Sequence, residues 1–92
     1  MPLLTEDEIL TFTGGHPEWS WADKSITRRF EFGDFAEALG FVNRVGQSAE
    51  EAGHHPDIDI RWNKVTLTLS THSAGGLTQK DLDLANTVDG LV

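Results

Sequence analysis

A chain of 92 residues, with 38% hydrophobic and 24% charged side chains, suits one small folded domain over residues 1–92 and leaves no room for a second core. Its formal net charge is -8 and its Lys and Arg are scattered, with only Arg28 and Arg29 adjoining, which argues against a direct nucleic-acid ligand. Cysteine is absent, which excludes disulfide and thiol chemistry, and no run reaches the ~18 apolar residues of a membrane helix.

The first predicted element is a short helix over about Glu6 to Phe12. Thr5 and Glu8 have the spacing of a capping box, Leu4 and Ile9 that of a hydrophobic staple, and Gly14-Gly15 would end the helix. Pro17 to Trp21 reads as a short strand, joined across Ala22-Asp23-Lys24 to a second strand from Ser25 to Phe32. Ile26, Phe30 and Phe32 share one face of that second strand, with Arg28 in phase. The expectation for Arg28 is a sheet-edge side chain whose stem packs while its head reaches water. Asp34 caps a long helix to about Ala52, with Glu37 at the third helical position. Phe35, Leu39, Val42, Gly46 and Ala49 recur at helical spacing and predict its core face. Gly46 and Ala49 would also admit a close neighbour, another subunit included. Gly53 supplies the stop.

Asp57 to Trp62 and Lys64 to Ser70 then alternate around a turn at Asn63. Ile58, Ile60 and Trp62 in the first run, and Val65, Leu67 and Leu69 in the second, predict an antiparallel hairpin with one apolar face. After a loop from Ser73 to Gly76, Thr78 caps a last helix with Asp81 at its third position and Leu77 stapled to Leu82. Leu84, Val88 and Leu91, with Ala85 alongside, form its apolar side. The order α-β-β-α-β-β-α, without a long crossover, predicts an α+β fold. It would be a two-layer α/β sandwich, a four-stranded antiparallel sheet with helices on one face.

The chemistry concentrates between Glu50 and Asp81. Three of the four histidines lie there, His54 and His55 at one end of the predicted hairpin and His72 at the other, and folding at Asn63 brings them together. His16, in a glycine-rich loop, reads as a structural hydrogen-bonded residue. Histidines with Glu50 or Asp57 carry donors that suit zinc. Adjacent histidines point in different directions, however, and familiar zinc motifs set their ligands one helical turn apart, so no metal is expected. Imidazole titrates near pH ~6.5 and both gives and takes protons at cell pH. A reaction that removes one proton and protonates a departing hydroxyl needs two such groups a few ångströms apart. Residue types alone leave the reaction class open, and Asp81 has a sufficient role as a capping residue.

These residues together resemble the pterin-4a-carbinolamine dehydratase family, which includes the dimerisation cofactor of a homeodomain transcription factor. The family pattern is a charged residue, three free positions, His-His-Pro, an aromatic, a later His and then an Asp. Here it reads Glu50, His54-His55-Pro56, Trp62, His72 and Asp81. The flanks Ile26-x-Arg28-x-Phe30-x-Phe32, Leu69-Ser70-Thr71-His72 and Gly75-Gly76-Leu77-Thr78 resemble the family too, and the likeness is weakest over the first twenty residues. Ile58 departs from it, standing where animal members carry Trp.

The resemblance implies a hydro-lyase that eliminates water from 4a-hydroxytetrahydropterin to give quinonoid dihydropterin, in tetrahydrobiopterin recycling for aromatic amino-acid hydroxylases. It implies His54, His55 and His72 as acid–base residues, with Pro56, Thr71, Ser73 and Ala74 helping to line the pterin site. Glu50, Trp62 and Asp81 would support them: Glu50 as an electrostatic neighbour, Trp62 as packing for the hairpin, Asp81 as a capping residue first. No cofactor is expected, because the pterin is the substrate. The implied partners are the pterin and further copies of the chain, as a dimer or tetramer, with no nucleic acid and no membrane, in the cytoplasm. The alternative is a module on the same fold that binds pterin, or assists assembly or transcription, without turnover.

Overall fold

The computed structural model describes residues 2–92. Its elements are α1 (Glu6–Gly15), β1 (Ser20–Ala22), β2 (Ser25–Glu31), α2 (Phe35–Ala52), β3 (Asp57–Arg61), β4 (Lys64–Leu69) and α3 (Gln79–Asp89), with one 3-10 turn over His72–Ala74 between β4 and α3. The strands form a single sheet in the order β1-β2-β4-β3, and every neighbouring pair is antiparallel. This is the α+β sandwich that the order of elements predicts.

Local chemistry sets the helix ends. Thr5 Oγ1 accepts the Glu8 N–H at 3.2 Å, and Glu8 accepts the Thr5 N–H at 2.8 Å, a complete capping box. α1 continues past Phe12 to Gly15, further than its glycines suggest. His16 accounts for this: its Nδ1–H donates to the Phe12 carbonyl at 2.8 Å and its ring stacks on Phe12, centroids 4.0 Å apart. The side chain thereby satisfies a carbonyl that the helix end leaves open. The Trp19 N–H then bonds the His16 carbonyl at 3.0 Å, so Pro17 and Glu18 form a turn and β1 begins at Ser20, not Pro17.

The core lies between the sheet and the helices. β4 buries Val65, Leu67 and Leu69 on alternate positions, and β2 buries Ile26 and Phe30. α2 meets them with Ala38, Phe41, Val45 and Ala49, and α3 with Leu84, Ala85 and Val88. Full burial of a side chain such as Phe41 or Leu67 contributes roughly 1.5–3 kcal/mol. Phe41 also takes tilted contacts from Phe30 and Phe32, at centroid distances of 4.7 and 4.9 Å.

Three expectations need correction. The inward stripe of α2 is not Phe35, Leu39, Val42, Gly46 and Ala49. Phe35 and Leu39 are 46% and 42% exposed, Val42 is half-buried, and of that set only Ala49 is buried. α2 carries two overlapping apolar stripes, and the stack on Phe30 and Phe32 turns the Phe41 stripe inward. Gly46 has open space where a side chain would stand. Second, β3 is an edge strand that the helices cover only in part, so Ile60 packs half-buried against the core while Ile58 is 40% and Trp62 is 64% exposed. Third, Arg28 on β2 pairs opposite Leu67, and its head is mostly engaged within the protein, the side chain 19% exposed. Its Nη1 donates to Asp89 Oδ1 at 2.7 Å, and its guanidinium lies 4.2 Å from the Phe30 ring centroid. Asp89 also accepts the Trp19 indole N–H at 3.0 Å, so one carboxylate ties β2, the approach to β1 and the end of α3 together.

Candidate active site

His54 owes its place to the end of α2. Gly53 adopts the left-handed conformation at φ 62°, which a glycine takes without a Cβ penalty. The chain closes on itself there: the Gly53 N–H reaches the Glu50 carbonyl at 3.3 Å and the His54 N–H reaches the Ala49 carbonyl at 3.1 Å. This is a Schellman closure, and it fixes the backbone of His54 against the helix. Pro56 disfavours helical backbone at His55 and delivers the chain into β3.

The two neighbouring histidines consequently part. His54 turns inward, its side chain 11% exposed, and its Nε2 lies 2.6 Å from Oδ1 of the fully buried Asp81. His55 turns outward, and its Nε2–H donates to Glu50 Oε2 with both side chains well exposed. An exposed pair of this kind adds little stability. His72 comes from the other chain segment. Thr71 and Gly76 pair across the base of a small loop, with the Thr71 N–H on the Gly76 carbonyl at 2.9 Å, and Gly75 closes it at φ 76°. His72 opens the 3-10 turn inside that loop, exposed and without a side-chain partner among the described residues.

Asp81 joins the segments. It is the third residue of α3, and its Oδ2 accepts the Thr78 N–H at 2.9 Å as the capping position requires. The same oxygen accepts from Thr71 Oγ1 at 2.8 Å, and Oδ1 faces His54. Capping and site support are therefore one arrangement, using the two oxygens of one carboxylate.

The hairpin β3–β4 brings His54, His55 and His72 to a single open cleft of about 310 Å³, with Gly53, Ser70, Thr71, Ser73 and Lys80 completing the wall. That volume is at the small end of ligand sites. Pro56 and Ala74 do not line it; Pro56 acts through the backbone direction of His55. Trp62 stands at the opposite tip of the hairpin with Lys64 Nζ 5.8 Å from its ring centroid. Five residues of strand at ~3.3 Å each, about 16 Å, separate it from Asp57 at the cleft end. Lys80 was missed by sequence reasoning, although the cap at Thr78 puts residue 80 in the first turn of α3 beside Asp81. A larger hollow of about 460 Å³ between β2, α2 and the last residues contains Arg28, Glu37 and Arg44 but no histidine. No group of three or more His, Asp or Glu side chains among the described residues is disposed to hold a metal ion.

A small α+β sandwich with three imidazoles around one cleft at the open end of its central hairpin is a scaffold equipped for proton transfer. The chain belongs to the pterin 4 alpha carbinolamine dehydratase family, whose model matches residues 2–91. A relative from a Picosynechococcus species is 57% identical over 88 residues, covering 96% of each chain. One from Nocardia farcinica is 51% identical over 89 residues, covering 97% of this chain and 94% of its own. Both are provisionally named pterin-4-alpha-carbinolamine dehydratases. Among solved structures, a transcriptional coactivator/pterin dehydratase from Brucella melitensis superposes with a TM-score of 0.92 at 35% identity, covering 98% of both chains. A pterin dehydratase-like protein identified as a RuBisCO assembly factor of the alpha-carboxysome superposes at 0.65, with 27% identity over 79% of this chain and 84% of that one.

Proposed function

We propose that this protein is a hydro-lyase that converts 4a-hydroxytetrahydropterin into quinonoid dihydropterin and water, in tetrahydrobiopterin recycling in the cytoplasm. The observation that carries the proposal is the convergence of His54, His55 and His72 on one cleft, in a chain of this family. In the elimination, the N5–H bond breaks and its electron pair becomes the N5=C4a double bond. The C4a–O bond breaks and the hydroxyl leaves as water with a proton from an acid. No electrons are gained or lost, so the pterin is the substrate and no redox cofactor is called for. Imidazoles serve as both base and acid, and such positioned groups typically contribute ~10²–10⁴-fold each. Glu50 holds the ring of His55, and Ser73 on the rim offers a hydroxyl to the heteroatoms of a pterin.

A second reading is supported by a different surface. Phe35 and Leu39 expose apolar side chains along α2, and β1 and β3 leave the sheet with two open edges. Such surfaces suit homo-oligomers, as a dimer or tetramer, and equally suit a coactivator or assembly module that binds without turnover. The test is dehydration of freshly generated 4a-hydroxytetrahydropterin, followed by absorbance. Acceleration by the wild-type protein that is lost in His72→Ala supports the enzyme. No acceleration from folded, assembled protein refutes it in favour of the binding role.

A further inference from the structure

The buried hydrogen bonds around Asp81 determine where each proton lies. The carboxylate has no exposed surface and only accepts, so Thr78 N–H, Thr71 Oγ1–H and His54 Nε2–H all donate to it, at 2.9, 2.8 and 2.6 Å. Thr71 has one hydroxyl proton and spends it on Asp81. Its oxygen must then accept from Thr78 Oγ1–H, 2.8 Å away. The network has no freedom left, and a neutral His54 in it is the Nε2–H tautomer with a bare Nδ1. That Nδ1 makes no hydrogen bond, yet Arg28 Nε is the one buried side-chain nitrogen or oxygen without a partner among the described residues. The lone pair on Nδ1 is therefore accessible, and His54 borders both the histidine cleft and a smaller hollow of about 120 Å³ beside Ala52, Asp83, Leu84 and Thr87.

We propose that Asp81 is a positioning residue that locks His54 as the Nε2–H tautomer, making Nδ1 the proton acceptor for N5–H of the bound substrate. This rests on the function proposed above. The proton moves from N5 to Nδ1, the N–H electron pair forms the N5=C4a bond, and the hydroxyl leaves C4a protonated by His55 or His72. The buried carboxylate stands against the positive charge that His54 takes on in that step. His55 and His72 are exposed, so either exchanges protons with water between turnovers, as the acid must.

Asp81→Asn reverses the lock. The Thr78 backbone N–H can only donate, so the amide oxygen must take the place of Oδ2, which turns the amide NH₂ toward His54. Nε2 then accepts, and the proton moves to Nδ1. Two-bond proton–nitrogen NMR on the wild-type protein should show His54 as Nε2–H, and on Asp81→Asn as Nδ1–H. kcat should fall by about 10²-fold or more with KM little changed. Saturating wild-type protein with a tetrahydropterin, which keeps its N5–H, should shift the His54 Nδ1 resonance more than Nε2, a readout that needs no variant to fold. A wild-type His54 found as Nδ1–H, an Nδ1 indifferent to bound pterin, or a switched tautomer with undiminished kcat would each overturn the inference. A wild-type protein that binds pterin without dehydrating its substrate would overturn the functional reading instead, while the tautomer, read without substrate, still decides whether Asp81 locks the ring.

Discussion

Gly53→Ala tests whether the helix stop is what delivers His54. The residue sits at φ 62°, ψ 31°, and a Cβ built there meets nothing within 4 Å, so the substitution brings strain without a clash. Left-handed backbone costs an L-residue roughly 1–2 kcal/mol, and the loss of unfolded-chain freedom returns about 0.4–1 kcal/mol. The net destabilisation is therefore about 1 kcal/mol. It also has a ceiling. If the strain were larger the chain would leave the conformation and give up the Gly53 and His54 N–H bonds to Glu50 and Ala49, each contributing ~0.5–1.5 kcal/mol. Asn tolerates this backbone, so Gly53→Asn should recover most of the loss. Urea unfolding at fixed protomer concentration should show a lower midpoint for Ala with an unchanged slope, and a melting temperature lower by ~4–8 °C. Because the same turn sets the backbone of His54, turnover should fall with stability in the Ala variant and return in the Asn variant. An Ala variant as stable and active as the wild type would show that the Schellman closure neither strains nor positions anything.

His55→Ala and His72→Ala should each remain folded, because both side chains are exposed, and each should lose ~10²–10⁴-fold in turnover; unchanged rates in both would remove them from the mechanism. Leu39→Glu places a charge on the exposed stripe of α2 and should shift the assembly toward smaller species in light scattering without lowering monomer stability; an unchanged assembly would clear that stripe of the role. Treatment with a metal chelator should leave dehydration unaltered, and inhibition reversed by zinc would reinstate a metal mechanism.

The architecture was legible because its signals are local. Thr5 with Glu8, Asp34 before Glu37 and Thr78 with Asp81 announce helix starts by side-chain geometry that operates within one turn. The alternation in β4 survives intact since both neighbours and the helices cover it. What failed were decisions made across the fold. α2 is apolar on two overlapping stripes, and only the rings of Phe30 and Phe32 select Phe41 over Phe35. β3 alternates like β4, but alternation says nothing of lateral order, and the edge position leaves Ile58 and Trp62 outside the helical cover. The convergence of the three histidines was visible because a hairpin turn erases sequence distance. The second use of Asp81 was not, since capping occupies Oδ2 and explains the residue until the structure shows Oδ1 on His54.

Catalysis and assembly draw on opposite ends of α2, which makes them separable. Leu39 lies fourteen residues before Gly53, about 21 Å along the helix at 1.5 Å per residue, while Gly53 and His54 line the cleft. A partner-binding module needs the exposed stripe or the open edges and has no physical use for an imidazole held inward. Buried Asp81 would cost several kcal/mol without its donors, and a cap alone would be served by an exposed carboxylate without His54. The fold supports the cap with Thr71 and Thr78 and then directs the remaining oxygen at an imidazole whose far nitrogen stays accessible. That expenditure on proton placement is what an acid–base site requires, and it is why the cleft carries the functional reading more heavily than the apolar stripe.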